Sequence, residues 1–284
     1  MLLLVAAAGI ISILITIGIV VTLLAEGSGF FGEVSIVDFL TGTEWFPRSG
    51  QFGVLPLLSA SLIIAAIAAA VAVPLGLGAA IYLADYADER VRRVVKPILE
   101  LLAGMPTIVL GFFALESITP FLQSVGIIDK SQGYSALSAG IVVGVLIVPL
   151  ISSLSEDAMR AVPRSMREAA YGVGATRRQV VTRVVFPSAL SGVTASIVLG
   201  LSRAVGETMA VTLAAGSIPA LTGNITAPMQ TITARIVETS RGEATRGSIE
   251  YETIFALGAL LFVVTLLINV VAVRLVRRYR TVYQ

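Results

Sequence analysis

Apolar positions along the chain gather into six blocks, most of them about 20 residues or longer, enough for a helix to cross roughly 30 Å of hydrocarbon. The blocks are Leu2 to Leu24, Val54 to Leu83, Ile98 to Leu122, Leu137 to Leu154, Ser188 to Gly216 and Thr253 to Val276. Each is expected to be a helix, because an open sheet cannot satisfy its backbone in lipid. Pro74 in the second block and Pro106 in the third predict kinks or broken turns. The first block has no basic leading segment and outruns the apolar stretch of a signal peptide, so it reads as a retained span. Its abrupt start at Met1 leads to the expectation of a short basic tail upstream.

Lysine and arginine placement orients the six spans. Arg90, Arg92, Arg93 and Lys96 follow span 2, and Arg160, Arg164, Arg167, Arg177, Arg178 and Arg183 follow span 4. Arg274, Arg277, Arg278 and Arg280 stand at the C-terminal end, so these three regions hold 14 of the 20 basic residues. With six spans they lie on one side, which puts both termini in the cytoplasm. Residues 1–53 then form the first span and its external loop, and residues 54–284 the main transmembrane domain, with a cytoplasmic loop over 155–187. The other two external loops are Gln123 to Ala136 and Ser217 to Glu252, and the latter is expected to carry a short surface helix from Ala227 to Glu238. Trp45, the single tryptophan, is expected beside Phe46 in an aromatic belt at the membrane interface.

Composition narrows the chemistry. Of 284 residues, 56% are hydrophobic and 13% charged, and the mean hydropathy is +0.92. Soluble domains carry about 25% charge. The absence of histidine and cysteine excludes disulfides, thiol nucleophiles, Ser-His-Asp catalysis and the usual zinc sites. A net charge of +2 is too small to imply nucleic-acid binding. No glycine loop ending in Gly-Lys-Ser/Thr occurs, and Gly76-Leu-Gly78 lacks dinucleotide-binding spacing. If ATP-Mg is used, another chain holds it, and this chain is expected to carry no cofactor or metal.

The loop between spans 4 and 5 has a pattern of its own. Pro163 suits the first turn of a helix that Glu168-Ala169-Ala170 continues. Gly174 is a natural terminator and Thr176 a cap for a following helix. Glu168-Ala169-Ala170, Gly174 and then Val184-Val185-Phe186-Pro187 resemble the cytoplasmic motif of ATP-binding-cassette importer permeases. The resemblance implies a type I importer permease (MetI-like) fold. It also implies that Arg167, Glu168, Ala169, Ala170 and Gly174 couple to a separate ATPase, the helix seated in a groove of that subunit.

Other segments narrow the likeness. Leu199-Gly-Leu-Ser202-Arg203-Ala-Val-Gly206-Glu207-Thr208-Met209-Ala-Val resembles the fifth span of the phosphate-specific transport (Pst) permeases. Ala103-Gly104-Met105-Pro106-Thr107 resembles their third span and Val73-Pro74-Leu-Gly76-Leu-Gly78 their second, while Gly-Glu-Thr-Met-Ala-Val points to the PstC type. Membership implies a homologous PstA-like permease, a PstB-like ATPase dimer and an external PstS-like phosphate-binding protein as partners, beside membrane lipid.

Arg203 is about 15 residues into the fifth block, roughly 22 Å from its cytoplasmic end. Glu207, four residues on, is expected on the same helical face. Intramembrane charge is costly and should face an interior cavity with a partner. Either the two form a structural ion pair, or Arg203 offers its planar fork to a passing oxyanion while Glu207 holds Arg203 neutralised between transport events and accepts a hydrogen bond from protonated phosphate. Ser202 and Thr208 would add neutral donors. Glu100 and Glu116 are expected near the ends of span 3, snorkelling to water. The reading is thus a phosphate-importer permease subunit, not an enzyme. The alternatives are a permease of the same class for sulfate, molybdate or another solute, a membrane-embedded enzyme acting on lipid or phosphate esters, and a sensory scaffold.

Overall fold

The computed structural model describes residues 2–242 and 244–279; Met1, Glu243 and residues 280–284, Arg280 of the basic cluster among them, lie outside the described residues. Among the described residues, six helical stretches are long and apolar enough to cross a membrane: Leu4–Glu33, Leu55–Tyr86, Thr107–Ser124, Ala136–Arg160, Arg177–Val205 and Ile249–Arg274.

Helix α1 (Leu2–Glu33) runs past its expected end into what the apolar pattern assigned to a loop. A short α2 (Ile36–Thr41) and a two-residue hairpin, β1 (Trp45–Phe46) with β2 (Gln51–Phe52), follow. The hairpin closes on Gly50 at φ +72°, and Trp45 pairs with Phe52. Helix α3 (Leu55–Ile81) ends in a π turn over Tyr82–Tyr86. Small or compact residues recur on it every fourth position, at Ala60, Ile64, Ala68, Ala72, Gly76 and Ala80, and all six are buried. This is the spacing that lets a second helix approach closely. The partner is α7 (Ala136–Arg160), the most buried of the spans.

The third span is shorter than its apolar block. Residues 98–103 belong to α4 (Glu89–Ala103), a separate amphipathic helix. The chain breaks at Gly104-Met105-Pro106, and the span is α5 (Thr107–Phe113), a π turn (Ala114–Ile118) and α6 (Thr119–Ser124). Pro106 lacks an N–H and fixes its φ, which stops α4 from running on. Glu100 consequently sits on the exposed side of α4 rather than in a span, and Glu116 is exposed on the π turn.

After α7 come α8 (Arg164–Gly172), α9 (Arg177–Val180), a π turn over Val181–Val185 and α10 (Phe186–Val205). The fifth block does not continue as one helix to Gly216: it breaks at Gly206-Glu207-Thr208 and resumes as α11 (Met209–Ala214). The long connection after α11 folds back over the bundle, with Met229 N–H bonded to Ala215 O at 2.9 Å and Ser135 N–H to Ala214 O at 3.1 Å. It leads to α12 (Ile232–Arg241), which starts five residues later than expected and buries Ile232, Thr233, Ala234 and Thr239 instead of lying on the surface. Helix α13 (Ile249–Tyr279), the last described element, packs along α1.

Among the described residues, three apolar clusters hold these parts. The central one joins α3, α5, α7, α10 and α11, and one beneath α8 and α9 includes Ala80, Met159, Val180 and Val185. The third, at the hairpin end, stacks Phe30, Phe39, Trp45 and Phe52 edge to face, with centroids 5.3–6.4 Å apart, beside Ile232 and Leu257. Trp45 is only 1% exposed. It is a core residue of this cap and not a belt residue, because the hairpin folds it under α12; Phe46, one residue on, is exposed.

Candidate functional site

At the α8 end, the local chemistry expected from the residues is what forms. Pro163 stands at the N-cap of α8. Gly174 holds φ +84°, a left-handed value that L side chains adopt at a cost. Thr176 and Gln179 make a reciprocal capping box at the start of α9: the Thr176 hydroxyl accepts from Gln179 N–H at 3.4 Å, and Gln179 Oε1 accepts from Thr176 N–H at 2.8 Å.

The five candidate contact positions divide. Glu168 and Ala169 are exposed beside Tyr171 and Val173, the latter 86% exposed, while Ala170 packs inward. Gly174 makes the turn between the helices. Arg167 turns away from this face: its Nη1 donates to Asp85 Oδ1 and its Nη2 to Met159 O at 2.8 Å. Glu168, Ala169, Tyr171 and Val173 are therefore exposed together, and Arg167 anchors this edge from behind.

An ion network that the apolar pattern did not reveal lies alongside. Glu156, fully buried, accepts from Arg92 Nε at 2.6 Å and meets Lys96 Nζ at 2.9 Å, and Lys96 also reaches Asp157 at 2.7 Å. The network fastens α4 to the end of α7. Partial burial disfavours the Lys96 ammonium, but hydrogen bonds and charge from Asp157 and Glu156 outweigh it and raise its pKa above the ordinary lysine value. In sequence, the sign was available as Arg92 and Lys96 at i and i+4 on one face of α4.

The second site is the break in span 5. The last turn of α10 tightens, with Gly206 N–H bonded to Ser202 O at 3.2 Å and Glu207 N–H to Ala204 O at 3.3 Å. Because the helix ends at Val205, the expected i, i+4 relation of Arg203 and Glu207 does not form. Glu207 is 8% exposed and turns toward α11, where its Oε1 accepts from Ala210 N–H at 3.3 Å. A carboxylate at a helix N-terminus is favoured by the unpaired N–H groups and the helix dipole. Thr233 of α12 donates to the Glu207 carbonyl at 2.7 Å, so the break is tied to the folded-back connection. Thr208 spends its hydroxyl on Gly206 O at 3.1 Å, and Ser202 donates to Asn269 Oδ1 of α13 at 3.3 Å. Asn269 is a polar intramembrane residue that reading by charge alone passes over.

Arg203 makes no ion pair with any described residue. It lies four residues after Leu199 and three before Gly206, both exposed, with Ala195 one turn further back. That row is a face of α10 turned away from its contacts with α7, which run through Val193, Ser196 and Gly200. Ser196 meets Ser155 of α7 at 2.6 Å. A guanidinium at this depth needs an answering negative group, and none of the described residues supplies one.

The sequence matches the family of binding-protein-dependent transport system inner membrane components over residues 72–281. It is 34% identical over 267 residues to a protein of Bacillus subtilis (strain 168), the probable ABC transporter permease protein YqgH, covering 93% of this chain and 85% of that one. Identity is also 34%, over 286 residues, to the phosphate transport system permease protein PstC of Mesorhizobium japonicum, covering 94% of this chain and 86% of the relative. In fold, it is similar to a bacterial ABC transporter involved in the import of the acidic polysaccharide alginate, with TM-score 0.68, 15% identity, and coverage of 97% and 95%. The inward-facing MetNI methionine ABC transporter gives TM-score 0.59, 20% identity, and coverage of 83% and 99%.

Proposed function

The chain belongs to the family of binding-protein-dependent transport system inner membrane components, and from that premise we propose that it is a PstC-like permease subunit that passes inorganic phosphate inward across the cytoplasmic membrane. It is a multi-pass transport subunit and works with an ATPase and a substrate-binding protein, as the family does. In our reading these are a PstB-like ATPase dimer and a PstS-like phosphate-binding protein, with a PstA-like second permease. The basic α4 and α8 ends and both termini face the cytoplasm, following the positive-inside bias.

The exposed edge of α8, Glu168 to Val173, meets the ATPase. The observation that carries the substrate reading is Arg203, half-buried on an otherwise outward-facing row of an intramembrane helix and unpaired among the described residues. Its planar fork matches the paired oxygens of a phosphate. Glu207, fixed by Ala210 N–H through one oxygen, keeps its other oxygen for a proton-bearing phosphate and repels fully ionised sulfate. Ser202 and Thr208 serve as neutral neighbours of the passage. ATP-driven rocking of the permease pair would then expose this row to each side in turn.

The test is uptake of radiolabelled phosphate and sulfate by the four-component complex in liposomes. Arg203→Lys loses the fork but keeps the charge and should lower phosphate uptake about ten-fold or more. Glu207→Gln should narrow the preference for phosphate over sulfate. Wild-type uptake and selectivity in both variants would refute the assignment.

A further inference from the structure

Two arginines, one from each limb of the α8–α9 loop, close on the last turn of span 2. Arg167 of α8 donates from Nη1 to the Asp85 carboxylate and from Nη2 to Met159 O at 2.8 Å. Arg177 of α9 donates from Nη2 to the backbone carbonyl of the same Asp85, and its guanidinium lies 4.9 Å from the centroid of the Tyr86 ring. Asp85 is on the π turn Tyr82–Tyr86, closed by Ala87 N–H to Tyr82 O at 2.7 Å. The Asp85 side chain is 4% exposed, and its Oδ2 has no partner among the described residues.

A buried carboxylate stripped of its cation is strongly disfavoured. The α8–α9 loop therefore cannot part from α3 without stranding Asp85, while a rigid shift of the loop carries the π turn with it. Pulling on both limbs at one residue also resists rotation, which a single ion pair would permit. Directly behind the turn, Ala80 is buried against Met159 and Val185 and Gly76 lies against Ile151, so displacement of the turn is passed along the α3–α7 seam.

We propose that Asp85, gripped by Arg167 and Arg177, is the link through which movement of the α8–α9 loop drives span 2, making these three positioning residues for energy coupling. The proposal rests on the reading of α8 as the ATPase contact. It differs from that reading in assigning the onward transmission to a residue remote in sequence and hidden from the ATPase.

The experiment compares phosphate uptake with ATP hydrolysis in the same liposomes holding the complete complex. Asp85→Asn keeps the volume and removes the charge. Hydrolysis should stay within about two-fold of wild type while phosphate moved per ATP falls about ten-fold, within the usual span of coupling effects. Asp85→Glu should recover much of the ratio, which a merely structural defect in assembly would not predict. Arg177→Gln, which releases the second grip and leaves the Asp85–Arg167 pair, should lower the ratio by a smaller factor and keeps the test available if Asp85→Asn fails to assemble. An unchanged ratio in the assembled variants, or a fall in hydrolysis matching the fall in uptake, would overturn the link. Absence of phosphate-stimulated hydrolysis in the wild-type complex would instead count against the phosphate reading, so the two failures are distinct.

Discussion

Adding one methyl group at Gly140 should loosen the seam on which the bundle is built. Gly140 and Gly144 of α7 face α3 with almost no clearance. A Cβ at Gly140 would stand 2.6 Å from both Cβ and Cγ2 of Ile67 and 3.3 Å from Ile64 O. Carbon pairs prefer about 3.5–4.0 Å, so the helices must part by roughly 1 Å, and a gap of that size forfeits a quarter to a half of each dispersion contact beside it. Ile67 is β-branched and its Cβ is fixed to the backbone, so a rotamer change cannot relieve the clash. Overpacking of this kind costs about 1–3 kcal/mol, and the helix preference of alanine over glycine returns at most ~1 kcal/mol. The net expectation for Gly140→Ala is a loss of about 1–2 kcal/mol, or an apparent melting temperature lower by about 3–6 °C on the scale of chains of this size. Gly78→Ala on α3 is the control: nothing lies within 4 Å of its added Cβ, so it should be neutral or slightly stabilising. The assay is thermal aggregation of the purified permease in detergent. Equal melting of the two variants would refute the close-packing argument.

Replacing both Arg92 and Lys96 with Met strands the buried Glu156 carboxylate and should cost about 3–5 kcal/mol, whereas Glu156→Gln frees two cations able to reach water and should cost less. Hydrogen exchange over α4 reads the difference. Because the Lys96 pKa is raised, its contribution is complete below the ordinary lysine value of about 10.4 and lost only as pH climbs through the raised one. Protection of α4 should accordingly be flat between about pH 6 and 9. Gly174→Ala places a methyl group at φ +84°, costs about 1–2 kcal/mol of backbone strain, and should weaken co-purification of the ATPase. Gly133→Ala, outside the α8–α9 loop, with open space around it and no positive φ, should not.

Long elements were legible because hydropathy registers length and composition. α3, α7 and α13 lie where their apolar blocks put them, and Pro163, Gly174 and Thr176 act in the turn as their local chemistry requires. What escaped was pairing. The apolar block from Ile98 hid the fact that Ile98, Leu101 and Leu102 continue a helical stripe with Val91 and Val94, which makes them part of α4 rather than of the span. Gly206-Glu207-Thr208 breaks span 5 because Glu207 finds the N–H of Ala210, a gain that a sliding window over mostly apolar residues does not weigh. The buried place of Trp45 is hidden from the sequence for a related reason. Its burial depends on Phe30, Phe39 and Phe52, residues drawn from three elements that only the folded chain brings together. The every-fourth run of small residues on α3 was visible in the sequence and would have pointed to α7 as its neighbour through Gly140 and Gly144. Asp85 carried no such sign, since its partners lie 82 and 92 positions away.

The sole indole of the molecule sits sealed in the aromatic cap at the hairpin end, with the Arg235 guanidinium 6.0 Å from its ring. Its emission is therefore a built-in optical gauge of that end alone, silent to events at α8. Excited at wavelengths that spare tyrosine, the isolated permease should emit with the blue-shifted colour of a dry surrounding, and a red shift would register loosening of the cap with no dye attached.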